Sequence, residues 1–381
     1  MDALTTPSNW QKVRLGDIAH IFDGTHQTPQ YTHYGVAFFS VENIVSDKPS
    51  KFISQQDYLT ATNQNRPEYN DILLTRIGTI GVSKVVNWNY PFSIYVTLAV
   101  IKQSKYFNSY YLHYFIQSNF FQKELKNNSL LQAIPCKINM NELKKCEVIL
   151  PPLNEQIAIA NVLSDVDRYL YSLDALILKK ESVKKALSFE LLSQRKRLKG
   201  FNQAWQKVRL GDICEIVKGQ QINKISLNNT DKYPVINGGI DFLGYTNKFN
   251  VSKNTIAISE GGTCGYVRFM KSDFWSGGHN YSLQKVSNKV NNLCLYHILK
   301  SYEKDIMKLG VGSGLKNIQL KALKDFEILL PPLNEQSAIA NVLSGLDNEI
   351  ISLKNKKRQF ENIKKALNHD LMSAKIRVLN K

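Results

Sequence analysis

The nonapeptide W-Q-K-V-R-L-G-D-I occurs twice without a change, at Trp10 to Ile18 and at Trp205 to Ile213, an offset of 195 residues. A second duplicate, ILPPLNEQIAIANVLSDVD from Ile149 to Asp167, returns as LLPPLNEQSAIANVLSGLD from Leu329 to Asp347 at an offset of 180. KKAL at Lys184 returns at Lys364 with that same offset of 180. Such repetition forces the chain to fold as two copies of one plan. Because the offsets differ by 15, the intervening segments, residues 19–148 and 214–328, differ in length, and they differ in sequence too. Only echoes survive inside them, such as ILLTRIGTIG (Ile72 to Gly81) beside IAISEGGTCG (Ile256 to Gly265). A constant frame surrounds a variable insert, twice.

The inserts carry short runs of Tyr, Phe, Ile, Val and Thr broken by G-T-x-G, N-G-G and S-G-G turns, with one helix-like stretch each, YYLHYFIQSNFFQKEL and LYHILKSYEKDIMKL. That pattern predicts mixed α/β lobes. Each Pro-Pro pair should end a strand, and Asn154 or Asn334 should cap the long helix that follows, with Glu155 or Glu335 in its first turn. Apolar spacings of four and three then continue through Val162, Val166, Tyr169, Leu173, Leu176, Lys180, Val183, Leu187 and Leu191. The second copy reads Val342, Leu346, Glu349, Leu353, Lys356, Phe360, Ile363, Leu367 and Leu371. Both are coiled-coil seams interrupted by charge, so the two helices are expected to pack on one another, antiparallel, within the chain. The expected fold is α+β: lobes at residues 1–150 and 201–330, helices within 151–200 and 331–381, and a pseudo-two-fold internal repeat.

A formal net charge of +17 suggests a polyanionic partner. Most of it lies at the helix ends: residues 179–199 carry eight Lys or Arg against two acids, and residues 354–381 nine against two. Two readings fit, a solvated helix end that complements the helix dipole or a phosphate-contacting track. The five cysteines are scattered with no C-x-x-C pair, which argues against a disulfide framework or a closed zinc site. No apolar run is long enough to span a bilayer, and Met1 to Trp10 has no signal-peptide pattern, so a soluble cytoplasmic protein is expected.

H-E-x-x-H, G-x-x-x-x-G-K-[ST] and G-x-S-x-G are all absent. GVGSG (Gly310 to Gly314) follows a helical pattern instead of a strand and reads as a loop, not a dinucleotide site. P-P-L-N lacks the flanking residues that amino-methyltransferases use to hold a flipped adenine. Most of the seven histidines read as structural or surface residues, but FWSGGHNYS groups Trp275, His279 and Asn280 in a turn-rich stretch suited to contacting a ligand. The corresponding stretch of the first insert, NWNYPFS, carries Trp88 and Tyr90.

Paired variable lobes opened by W-x-x-V-x-L-G-D-I and closed by L-P-P-L-N-E-Q plus a long helix resemble, over essentially the whole chain, the specificity subunit of type I restriction–modification systems. The resemblance implies that each lobe is a target recognition domain reading one half of a bipartite site in double-stranded DNA. It implies helices that set the gap and dock two methyltransferase (modification) subunits, with restriction/translocase subunits joining them and no membrane involved. The chain itself would do no chemistry and hold no cofactor; S-adenosylmethionine, ATP and Mg would belong to the partner subunits. The closing motif maps onto Pro151, Pro152, Glu155 and Gln156, and onto Pro331, Pro332, Glu335 and Gln336, as frame residues.

The family's R-x-G-T-x-G turn is Arg76, Gly78, Thr79 and Gly81 in lobe one, whereas lobe two has Glu260 in place of the Arg, then Gly262, Thr263 and Gly265. Arg can be bidentate to guanine and Glu can accept from cytosine N4, so the lobes are expected to read different half-sites. A purely conformational role of the glycines stands beside that reading. Asn237 is a further candidate for an adenine or backbone contact, as are His26 and Gln27 in DGTHQTP, with Lys84 and Lys316 as phosphate contacts. Alternatives are the recognition chain of a related side-cutting system, a coiled-coil adaptor that binds protein, and a self-contained nuclease or methyltransferase.

Overall fold

The structure, a computed structural model, describes residues 7–46 and 51–379. The chain divides into two compact units, Met1–Asp174 with Lys356–Lys381, and Ala175–Asn355. In unit one the opening motif forms a strand, Gln11–Arg14, antiparallel to Glu147–Leu150, which is the segment just before the first Pro-Pro pair. Unit two repeats this with Gln206–Arg209 against Glu327–Leu330. The insert therefore leaves and re-enters the frame through neighbouring strands.

Inside lobe one, a four-stranded antiparallel sheet runs in the order Ile21–Asp23, Leu98–Ile101, Ile72–Thr75, Ser83–Val85. A second sheet runs Tyr31–Thr32, Lys51–Ile53, Val36–Phe39, Phe92–Ile94, its last pair parallel. Lobe two has the same first sheet, Glu215–Lys218, Asn280–Gln284, Thr255–Ser259, Val267–Met270. Its second sheet is Gly244–Thr246, Tyr233–Ile236, Trp275–Ser276, again ending in a parallel pair. The central strands Ile72–Thr75 and Thr255–Ser259 are buried along their whole length, which is why they read as continuous apolar runs rather than alternating ones. Both are followed by the G-T-x-G turn. GVGSG belongs to a two-stranded hairpin, Gly310–Val311 with Asn317–Ile318.

The helix-like stretches resolve into pairs of helices. Ser109–Ile116 and Asn119–Asn127 are divided at Ser118, whose hydroxyl caps the second, and lobe two has Asn292–Ser301 and Glu303–Lys308. The long helices are Leu153–Leu192 and Leu333–Met372, 40 residues each. They start two residues earlier than the capping reading places them, so Asn154 and Asn334 lie inside the first turn. Pro152 and Pro332 instead offer their carbonyls to Gln156 N and Gln336 N, at 3.0 and 2.9 Å. No helix among the described residues is long and apolar enough to cross a membrane.

Within each unit the two helix segments run antiparallel. In unit one Asp167 and Asp174 of the first helix meet Lys364 and Lys357 of the second, each at 2.6 Å. In unit two Lys180 and Glu181 meet Glu349 and Lys354 at 2.7 Å, and Lys184 pairs with Asp347. The seam is displaced from the apolar reading at every second position. Val166, Leu173, Lys180, Leu187 and Leu191 stand. In the alternate layer Leu163 and Leu170 are covered beside half-buried Val162 and Tyr169, and Ile177 and Lys184 are covered in place of exposed Leu176 and Val183. In the second copy Leu343, Ile350, Lys357 and Lys364 are covered in place of exposed Val342, Glu349, Lys356 and Ile363. Lysines can occupy a seam because the stem is covered while the ammonium reaches an acid. Tyr169 still contributes a ring contact with Phe360, centroids 4.6 Å apart.

Against these helices the lobes bury two imidazoles. His297 Nε2 lies 3.0 Å from Ser344 Oγ, and His113 Nδ1 lies 2.9 Å from Ser83 Oγ. Burial pushes both down to about 4, and Lys184 or Lys364 pushes in the same direction. Since an unfolded histidine titrates near 6.5, the unfolded chain takes up these protons first as pH falls. Stability from these sites is therefore whole above about pH 6.5 and is lost on the way down to about 4, by at most about 3 kcal/mol per site. Thermal midpoints measured from pH 7 to 4.5 should fall more steeply for the wild type than for His297→Gln; parallel curves would contradict a neutral buried imidazole.

Candidate nucleic-acid interface

The duplicated frame motifs converge on one clamp in each unit. Glu155 is buried, accepts from Trp10 Nε1 at 3.3 Å, and is gripped by Arg377 through Nε and a terminal nitrogen at 2.5 and 2.9 Å. Glu335 is equally buried and accepts from Trp205 Nε1 at 3.1 Å and from Arg197 at 2.7 and 2.6 Å. Gln156 accepts from Asn108 N and donates to Pro151 O, both at 2.9 Å; Gln336 does the same with Asn291 N and Pro331 O at 2.7 Å. Pro152 and Pro332 are half-buried at the helix starts. The frame residues are thus structural: they lock opening strand, helix start and helix tail together, and they leave the loops of the insert to face outward.

Those loops gather around the G-T-x-G turn. In lobe one the buried Arg76 donates to Asp23 Oδ2 at 2.9 Å, Val96 O at 2.8 Å and Ile138 O at 3.3 Å. Gly78 and Gly81 have φ of +82° and +92°, the conformation for which glycine is needed there. His26 lies exposed with Nε2 3.2 Å from Asp23 Oδ2, and Gln27 is exposed next to it. A second group stacks Tyr90 on Trp88 and Trp88 on Phe39, centroids 5.8 and 5.3 Å apart, with Lys84 Nζ 5.6 Å from the Trp88 ring.

In lobe two Glu260 takes the turn position and is bound by Lys218 Nζ at 2.7 Å and Tyr281 OH at 3.2 Å. Exposed His279 stands 3.9 Å from its second oxygen, and its backbone N–H donates to Asn237 Oδ1 at 2.9 Å. Exposed Lys316 precedes the strand Asn317–Ile318, whose Ile318 N–H donates to Glu260 O. Trp275 is half-buried and donates to Gln220 O at 2.9 Å, while Asn280 is buried and bonds Ser276 Oγ and Tyr281 O. His26, Gln27 and Arg76 are therefore brought together in lobe one, and Asn237, Glu260, His279 and Lys316 in lobe two. Arg76, Glu260 and Asn280 point their polar groups into the lobes.

A family model for the type I restriction modification DNA specificity domain matches the chain twice, over residues 7–180 and 202–362. The chain belongs to that family. S.MpnORF638P of Mycoplasma pneumoniae, assigned as a type I specificity subunit, is 39% identical over 165 residues, and S.MgeORF438P of Mycoplasma genitalium is 36% identical over 154. These matches span 41% and 40% of this chain and only 44% and 40% of the two relatives. The MjaVIII type I restriction enzyme specificity subunit of Methanocaldococcus jannaschii is 25% identical over 418 residues, 100% of this chain and 96% of that one. The fold is that of the crystal structure of a type I system S subunit from M. genitalium, with a TM-score of 0.71 at 19% identity over 97% of each chain.

Two features of this specificity chain escape a reading of single motifs. The Arg-to-Glu change in the turn is answered by its partner, because Asp23 and Lys218 occupy the same place, 195 residues apart. Aligning the inserts by the opening motif would have revealed that reversal. Likewise Arg197 and Arg377 are separated by the frame offset of 180, a repeat hidden within the basic helix tails. Much of the basic charge there is already paired: Lys180, Lys184, Lys354, Lys357, Lys364, Arg197 and Arg377 all meet acids.

Proposed function

We propose that this chain is the DNA-reading subunit of a type I restriction–modification assembly, each lobe reading one half of a bipartite site. The helices set the gap and dock two modification subunits, with restriction/translocase subunits completing the assembly. The observation that carries this reading is the identical clamp repeated around loop clusters of unlike chemistry, since one scaffold with two different reading faces suits two different half-sites. His26, Gln27, Tyr90, His279 and Lys316 are the exposed side chains offered for base or phosphate contact, with Lys84, Trp88, Asn237 and Trp275 flanking them. Arg76 and Glu260 act through the shape of the turn. S-adenosylmethionine, ATP and Mg are assigned to the partners, and this chain binds and orients without making or breaking bonds.

The test is methylation sequencing of a methylation-free bacterial host expressing the cognate modification subunit with and without this chain. One split adenine-methylated motif, present only with the chain, is expected. A co-purifying complex that leaves no motif would move the weight to a protein-binding adaptor.

A further inference from the structure

In both lobes an ion pair joins the end of one strand to the G-T-x-G turn at the same place, with its polarity reversed. Lobe one has the acid at the end of the strand Ile21–Asp23 and the cation, Arg76, in the turn. Lobe two has the cation, Lys218, at the end of Glu215–Lys218 and the acid, Glu260, in the turn. Both acids also face a histidine open to solvent. His26 Nε2 is 3.2 Å from Asp23 with its side chain 73% exposed, and His279 Nδ1 is 3.9 Å from Glu260 with its side chain 55% exposed. When the acid moves from strand end to turn, the histidine moves as well, from the loop after the first strand to the turn after Trp275–Ser276.

Glu260 adds an independent sign. Its Oε2 is buried without a hydrogen-bond partner, while Oε1 receives Lys218 and Tyr281. An unsatisfied buried acceptor is costly to leave unmade, and the imidazole of His279 stands one small movement away with an N–H to give.

We propose that the ion pair of each lobe aims one histidine at a base edge, and that the polarity of the pair decides which loop presents it. His26 and His279 are then specificity-determining residues, and Asp23, Arg76, Lys218 and Glu260 are positioning residues. The inference rests on the DNA-reading function proposed above. A carboxylate that takes the N–H of one ring nitrogen fixes the tautomer and leaves the opposite nitrogen as an acceptor, Nδ1 in His26 and Nε2 in His279. An acceptor presented in the major groove takes the exocyclic amino group of adenine or cytosine.

The experiment selects bound duplexes from a randomised DNA library with the full chain assembled on its modification subunits, and reads preference base by base. His279→Phe, which keeps a ring and removes both nitrogens, is expected to relax discrimination at one base pair of one half-site by about tenfold. The other half-site stays as it was, and His26→Phe produces the mirror result. Reversing the pair with Lys218→Glu and Glu260→Lys together should restore the thermal midpoint relative to either single change, yet still lose that discrimination. Lys218→Arg, which keeps the polarity, should retain both. Unchanged preference in His279→Phe, or in a folded double reversal, overturns the proposal while leaving the DNA-reading function intact. A wild-type assembly with no bipartite preference overturns both.

Discussion

Exchanging residues 214–328 for the insert of another family member is expected to replace one half of the recognised DNA site and to leave the other half unchanged. The exchange is structurally cheap because both ends of the insert are pinned by the same short ladder. Gln206–Arg209 pairs with Glu327–Leu330 in a four-residue antiparallel register, and Leu210 N–H extends it to Phe326 O at 3.0 Å. The clamp beneath, Trp205, Glu335 and Arg197, lies wholly outside the exchanged residues. A foreign insert that carries its own sheet and buried strands, and offers backbone groups where Phe326, Glu327 and Ile328 stand, therefore meets the same opening strand and the same clamp. The methylated motif read by sequencing would show one new half and one old. Two altered halves would mean that the lobes do not read independently, and the division of labour proposed here would fall.

Glu155→Ala is expected to cost about 3 kcal/mol, because it strands an arginine and an indole N–H at a buried site. Arg377 keeps 30% of its side chain exposed and can turn towards water, which places the cost at the lower end for such pairs. In a unit of this size the loss corresponds to a fall of roughly 6–12 °C in its thermal transition, measurable by calorimetry. Glu155→Ala combined with Arg377→Ala should recover part of it, since the stranded charge is then gone. Glu142→Ala serves as a comparison: its ion pair with Lys145 lies at the surface, so little change is expected. A midpoint unmoved by Glu155→Ala would show that the clamp does not hold the frame together.

How much of this was legible beforehand depends on whether the relevant signal is repeated or local. The duplicates at offsets of 195 and 180 already contained the frame and the two long helices, whereas the matching order of strands in the inserts came only with the structure. Antiparallel packing followed as well, since charge-interrupted seams are poorer alone than as a pair, and the first helix ends just before the second insert while the second helix leaves that insert. A side-chain pattern places the helix start two residues late, because the first helical hydrogen bond is accepted by a proline carbonyl, which such a pattern does not reveal. Part of the seam is not legible in the pattern, because adjacent apolar residues such as Leu163 beside Val162 and Ile177 beside Leu176 fit the spacing equally well, and because Lys184, Lys357 and Lys364 lie at seam positions with their charges on Asp347, Asp174 and Asp167.

For the candidate site the boundary is sharper. Residue type and spacing identified the G-T-x-G turn, the histidines and the aromatic pair Trp88 and Tyr90, because turn chemistry is written locally. Which of these face outward is decided by residues far along the chain: Asp23 draws Arg76 inward across 53 positions, and Lys218 holds Glu260 across 42. The amino-acid sequence by itself determined that one frame is built twice around two different inserts. Only the tertiary structure decided which charges are paired within the lobes and which histidine stands beside each paired acid, because a side chain's direction is settled by the partner that folding brings to it.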